Sequence, residues 1–253
     1  MHRTLVDLSQ PWHSLTPGWP TYGAPIVQWA KRLSVERVNA QRIETMLHVG
    51  THIDAPMHFV GNGKDVASLP LERLYGPAVV VDISDDCGDY DIYGPEHITS
   101  KVEVREGDIL IIHTGYHRYA FDQPEADDAR YFCKHPGPNR EFAEWCLRMQ
   151  LRWIGIDCGS ADHPMNTVIR RLRPDLAADA EAHLGAPLEE IFPTPGYQLM
   201  HTFLFPHDIV HCENVGGDID RLLNRRCVIG AFPWRFVGGE AAFCRIVAFL
   251  DDE

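Results

Sequence analysis

Residues His48 to Phe59 read HVGTHIDAPMHF, a run that holds His48, His52, Asp54 and His58 in a chain with only 14 histidines over 253 positions. His48, Gly50, His52 and Asp54 are all even-numbered. In an extended strand alternate side chains share a face, so both imidazoles and the carboxylate are expected to point one way. Gly50 carries no side chain and is expected to leave room above the backbone. Pro56 has no N–H to give to a strand ladder, so it ends the pairing and turns the chain. His58 can then approach the same face from another direction. A helix would also align His48 with His52, but Gly50, Thr51, Ile53 and Pro56 disfavour helix.

A buried histidine is usually a hydrogen-bonded polar residue and nothing more. Three of them beside a carboxylate, all withdrawn from water without a cation, carry a heavy desolvation cost. A divalent ion offsets that cost, because neutral imidazole and carboxylate suit Zn²⁺, Mn²⁺ or Fe²⁺. A closed structural site would use four ligands, whereas a catalytic site keeps one position open. If His48, His52 and Asp54 bind, His58 is left over as an acid/base group beside that position. Far downstream, HTFLFPHDIVHCENV (His201 to Val215) offers His201, His207, His211 and Glu213. Glu213 stands in an otherwise apolar run, where a lone carboxylate needs a partner or a metal. Chemistry alone does not choose among these histidines.

The rest of the composition narrows the class. With 45% hydrophobic and 23% charged residues the chain can bury a sizeable core, and its length fits one domain over residues 1–253. The net charge of −13 repels polyphosphate and anionic lipid, so no nucleic-acid or membrane partner is expected. The seven cysteines form no CxxC pair, which argues against a disulfide framework or a thiolate zinc site. The N-terminus lacks a long apolar run, and a cytoplasmic location is expected.

Short Val- and Ile-rich runs dominate, among them IVQWAKRLSVERV, RIETMLHVGTHID, PAVVVDIS, GDILIIHTG, LRWIGIDCG and AAFCRIVAFL. Helices are expected over NREFAEWCLRMQ, behind an Asn139 cap, and over PDLAADAEAHL, with Asp218 able to cap a short DIDRLLN helix. Residues 118–138 read as a long surface loop. The expected fold is α/β, a strand-rich mixed layered arrangement.

The run HVGTHIDAPMHF resembles the signature H-x-G-T-H-x-D-x-P-x-H of the metal-dependent cyclase/hydrolase family, which includes bacterial kynurenine formamidase and isatin hydrolase. GDILIIHTGY, WIGIDCGSAD and FPWRFVGGEAAFCRIVAF are similar to further segments of that family. The resemblance implies a swivelling β/β/α fold and a divalent metal, Zn or Mn, with one or two ions per chain. It also implies His48, His52, Asp54, His201 and Glu213 as ligands and His58 as the catalytic histidine. His201 and Glu213 share the spacing of the formamidase branch, and His207 and His211 do not. Trp19, in the aromatic segment PWHSLTPGWPTYG, is implied as a substrate contact. The implied reaction is cleavage of a C–N bond in an aryl formamide or cyclic amide, N-formylkynurenine- or isatin-like, by metal-activated water. A homo-oligomer, dimer or tetramer, is implied too. The segment from Asn166 to Tyr197 departs from the short formamidases and leans toward the isatin-hydrolase-like members.

Other readings remain at this stage. One is a lactone hydrolase or cyclase of the same family. Another is a non-haem iron oxygenase using His52 and Asp54, with His211 and Arg221 as a cosubstrate pair. The third is a non-catalytic metal-binding protein, which would have no use for His58.

Overall fold

In the computed structural model, residues 3–194 and 197–251 are described. The strands are β1 (Arg3–Asp7), β2 (Ile26–Lys31), β3 (Ala40–Glu44), β4 (His52–Asp54), β5 (Tyr75–Asp82) and β6 (Ile92–Tyr93). They continue with β7 (Ile109–His113), β8 (Gly137–Pro138), β9 (Trp153–Ile156), β10 (Val210–Glu213), β11 (Arg225–Pro233) and β12 (Ala241–Asp251). Eight of them form one sheet in the order β1-β12-β11-β5-β7-β9-β10-β4. A further pairing of β12 with β4 bends this sheet round on itself, so the strand-rich α/β expectation is met by a barrel with β1 outside the ring. The pairs β5–β7, β7–β9 and β9–β10 are parallel, which explains their near-continuous apolar runs: both faces of these strands are covered.

Alternation along each strand sorts side chains to the two faces. Ala78, Val80, Ile109, Ile111, Trp153, Cys212, Ile229 and Ile246 fill the barrel interior. Val79, Val81, Leu110, Ile112, Ile154 and Ile156 point outward, where helices cover them. The helix Arg140–Arg148 presents Phe142, Trp145 and Cys146 to that outer core, and the Asn139 side chain accepts from the Phe142 amide at 2.9 Å, as the sequence predicted. Pro174–Leu184 is also helical as expected.

Several expectations fail for local reasons. IVQWAKRLSVERV is not one strand: a single helical turn at Leu33–Glu36 and a left-handed Arg37 separate β2 from β3 as a hairpin. RIETMLHVGTHID breaks likewise: its first residues end β3 at Glu44, and only His52–Asp54 resumes as a strand. Gly50 has φ +67, so His48 reaches the site from a bend and not along β4. A Cβ at Gly50 would stand 3.0 Å from Trp12 Cδ1, so the missing side chain makes room for Trp12 and not for an ion. Residues 118–138 are not simply a surface loop. They contain the helix Asp128–Cys133, with Tyr131, Phe132 and Cys133 buried. Asp218 precedes a 3-10 turn at Ile219–Leu222 but its side chain caps nothing. In the Asn166 to Tyr197 segment the turns Ile169–Leu172 and Leu188–Ile191 flank the Pro174–Leu184 helix, and Pro195 and Gly196 lie outside the described residues.

Candidate metal centre

β4 and β10 run antiparallel with His52 opposite Glu213 and Asp54 opposite His211. Directly opposed residues share a face with Cβ atoms about 5 Å apart, so the pairing alone gathers four metal-ligating side chains. Ile53 and Cys212 take the barrel interior, which places this quartet on the outer face. The helix Leu199–Leu204 lies over it and brings His201 down. The 3-10 turn Pro56–His58, starting at the predicted Pro56 break, supplies His58. One cavity is lined by Trp19, Tyr22, His48, His52, Asp54 and His58 together with Ser160, Gln198, His201 and Glu213. The five implied ligands, His58 and Trp19 therefore meet there. His207 does not, being exposed on the surface.

The outer ring nitrogens are all engaged. His48 Nε2 donates to Glu240 Oε2 at 2.8 Å, His52 Nδ1 to the Gly50 carbonyl at 2.8 Å, and His201 Nδ1 to Asp162 Oδ2 at 2.5 Å. These bonds fix each tautomer and turn the remaining nitrogens inward as bare lone pairs, the usual way a protein orients imidazole ligands. His48 Nδ1 and His52 Nε2 stand 3.1 Å apart, and 2.9 and 3.2 Å from Asp54 Oδ1. His201 Nε2 is 3.5 Å from Asp54 Oδ2 and 3.6 Å from Glu213 Oε1, and Glu213 Oε2 is 3.8 Å from His52 Nε2. Donors about 2.1 Å from a common ion stand roughly 3.0–3.4 Å apart in octahedral or tetrahedral geometry. Most of these separations lie close to that range.

Asp54 gives the sharpest test of fit. It is completely buried, and among the described residues neither carboxylate oxygen finds a hydrogen bond, although imidazole nitrogens stand at 2.9 and 3.2 Å. Atoms this close that do not aim at each other are aimed at a shared point between them. The charges agree. Burial lowers the His48 pKa, but Asp54 and Glu240 overcome it and push it up to about 11. Burial likewise opposes protonation of His201, yet Asp162 and Asp54 raise it to about 10. Burial would raise Asp54, but the His48 and His52 charges hold it well below the usual carboxylate range. Burial, then Asp54, raises Glu213. The cluster thus demands positive charge at its centre, and a divalent ion supplies it without a proton on any inward nitrogen.

Further residues complete the site, and Glu240 and Asp162 among them were not singled out in the sequence. Glu240, at the head of β12, accepts from His48 and also faces His58 Nδ1 at 2.7 Å through the same oxygen. Asp162 accepts the Met200 amide at 2.8 Å as well as His201, so the loop after β9 anchors the covering helix. The Ala161 amide donates to Glu213 Oε1 at 2.8 Å. His211 is fully buried, both ring nitrogens lack a hydrogen-bond partner among the described residues, and its ring centre is 4.9 Å from that of His201. Burial, then the His201 charge, holds it well below the usual imidazole range. His163 is fully engaged. Its Nε2 bonds the Tyr90 carbonyl, its Nδ1 accepts from Met165, and burial lowers it to about 4. Arg221 is exposed beside Asp218, so the oxygenase pairing with His211 is not assembled.

Residues 6–163 match the family model described as putative cyclase. The chain belongs to the cyclase family. It is 30% identical over 159 residues to the kynurenine formamidase of Bacillus cereus, covering 62% of this chain and 69% of that one. Isatin hydrolase A from Labrenzia aggregata, solved with benzyl benzoate, superposes with a TM-score of 0.77 at 19% identity, over 99% of this chain and 94% of that one. A predicted metal-dependent hydrolase from Bacillus stearothermophilus superposes with a TM-score of 0.68 at 20% identity, over 98% and 99% of the two chains. At such identities the superpositions speak for the fold. In this chain the site described above lies on the outer face of the sheet. The matched segment includes His48, His52, Asp54 and His58, while His201, Glu213 and Glu240 lie beyond it.

Proposed function

We propose that this chain is a metal-dependent hydrolase that cleaves the C–N bond of an aryl formamide or a cyclic amide. The observation that carries the reading is the buried Asp54 carboxylate, unbonded at both oxygens and ringed by inward-facing imidazoles. His48, His52, Asp54, His201 and Glu213 would hold the ion. Asp54 Oδ1 faces His48 and His52 while Oδ2 faces His201, a layout that accommodates either one or two ions, of Zn²⁺ or Mn²⁺. A divalent ion there supplies water acidified toward a pKa of about 7 and polarisation of the substrate carbonyl.

The remaining steps belong to the chain. Glu240 Oε2 accepts from His58 Nδ1–H at 2.7 Å, which leaves His58 Nε2 to take a proton from the attacking water and pass it to the departing nitrogen. Such general acid–base help is worth roughly 10²–10⁴ in rate. The cavity measures about 40 Å³, enough for an ion and a water but not for an aryl ring. The ring of a substrate therefore belongs at the rim, against Trp19, Tyr22 and the half-exposed Phe59. A kynurenine formamidase among the relatives and isatin hydrolases among the fold neighbours favour a flat, aromatic amide. The hairpin of β2 and β3, with Ile26, Trp29 and Ile43 exposed, fits an interface in a homo-oligomer. Unpaired, mostly buried cysteines and the absence of any membrane-crossing helix among the described residues fit a cytoplasmic setting.

Incubating the protein with N-formylkynurenine and with isatin tests the reading. Ring opening or deformylation of at least one, lost on chelation and restored by Zn²⁺ or Mn²⁺, is the expected outcome. No turnover of either amide while a lactone is opened would move the assignment to the lactone-hydrolase branch.

A further inference from the structure

A second convergence of imidazoles lies on the opposite face of the same sheet. Asp82 and His113 are register partners at the C-terminal ends of the parallel strands β5 and β7, and Asp157 follows β9 directly. By alternation with Val80, Ile111 and Trp153, all three side chains turn inward at the mouth of the barrel. The turn Tyr116–Tyr119 adds His117. The turn Ile219–Leu222, whose Ile219 and Leu222 plug the barrel, adds Asp220.

The hydrogen bonds assign each role. His113 Nδ1 donates to Asp82 Oδ1 at 2.8 Å, and His117 Nδ1 donates to Asp157 Oδ2 at 3.1 Å. Asp157 is otherwise filled by the Thr114 amide and hydroxyl and by the Gly115 amide, so it serves as an anchor with no capacity to spare. With both Nδ1 atoms donating, each Nε2 is free to offer a lone pair, and although burial opposes a charge on His117, Asp157 and Asp220 raise its pKa, so positive charge is favoured here. His113 Nε2 is buried, in a residue only 4% exposed, and has no hydrogen-bond partner among the described residues. Yet it lies 3.2 Å from Asp220 Oδ1, which is also 3.4 Å from His117 Nε2. These separations match those of donors about 2.1 Å from one ion. A proton on His113 Nε2 would not be aimed along a hydrogen bond to Asp220, so a proton does not answer the arrangement. A cation between the three atoms does.

We propose that His113 Nε2, His117 Nε2 and Asp220 Oδ1 form a second divalent-metal site at the barrel mouth, separate from the catalytic centre. Two imidazoles and one carboxylate select a borderline first-row ion of the Zn²⁺ type over Mg²⁺ or Ca²⁺. With three protein donors the site keeps a position for water. Bound there, the ion fastens the Ile219–Leu222 plug to β7 and to the Tyr116–Tyr119 turn.

The test compares metal-stripped wild type, Asp220→Ala and His117→Ala after reloading with excess Zn²⁺, desalting and elemental analysis. The Asp220 side chain is 68% exposed, so its removal leaves the fold intact. Each variant is expected to retain one equivalent less zinc than wild type, whatever number the catalytic centre holds. Zn²⁺ should raise Tm further in wild type than in either variant, while hydrolysis stays within about twofold. Equal zinc content in all three proteins overturns the proposal.

Discussion

Glu240 Oε2 is shared by His48 and His58, so one carboxylate orients a proposed ligand and a proposed proton donor. Burial would raise its pKa, but those two imidazoles hold it down at about 2, and it stays an acceptor throughout the working range. Replacing His58 by Ala should therefore leave metal content near wild type while kcat falls by about 10²–10⁴, with a smaller change in KM. A variant that loses its metal would identify His58 as a ligand instead. The first four chemical groups could be read from sequence because they fall in one short run. Glu240 and Asp162 could not, because a carboxylate that orients an imidazole bears no spacing relation to it. The His48–Glu240 bond spans 192 positions and the His201–Asp162 bond spans 39. His211 was named in the sequence and set aside on the spacing that the resemblance implies. Its place opposite Asp54 is a matter of strand register, which the chain's own spacing does not carry.

At the level of elements, the strand reading of His48 to Asp54 found the right face for His52 and Asp54 by the wrong route for His48. Alternation holds only where the backbone is extended, and Gly50 at φ +67 interrupts it. Gly50→Ala should strain the left-handed backbone by about 1 kcal/mol and press its Cβ toward Trp12. The expected result is a destabilisation of about 1–3 kcal/mol by urea titration together with weaker metal retention, since His48 rides on that bend. Unchanged stability would show that the bend tolerates a side chain. By contrast, the Asn139-capped helix was readable because cap, apolar period and length all agree locally. Asp218 had the cap residue without a helix long enough to use it.

For the whole molecule, the closure of the barrel was out of reach of local patterns. It rests on β12 pairing with β4, and apolar alternation says which face a residue takes but not which strand lies beside it. Global stability carries a pH signature from residues away from the site. Burial lowers His135 and His163 to about 4, against roughly 6.5 in the unfolded chain. Between those values the unfolded state binds protons that the native state refuses, so stability falls as pH drops from about 6.5 toward 4, by up to about 3 kcal/mol per histidine. His48 and His201 are raised instead, so in metal-free protein their contribution is fully present below pH 6.5 and fades only toward their folded values of about 11 and about 10. They do not oppose the acid loss. Urea midpoints of metal-free protein should thus drop between pH 6.5 and 5, and a flat or rising midpoint would contradict the buried neutral state of these two histidines.

The proposed hydrolysis rests on an ion at Asp54. Elemental analysis of protein purified without added metal, set beside its amide-hydrolysis rate, measures this directly. At least one equivalent of a divalent transition ion per chain is expected, with metal and activity declining together in His52→Ala. Full hydrolysis by a chain carrying no stoichiometric metal would contradict it.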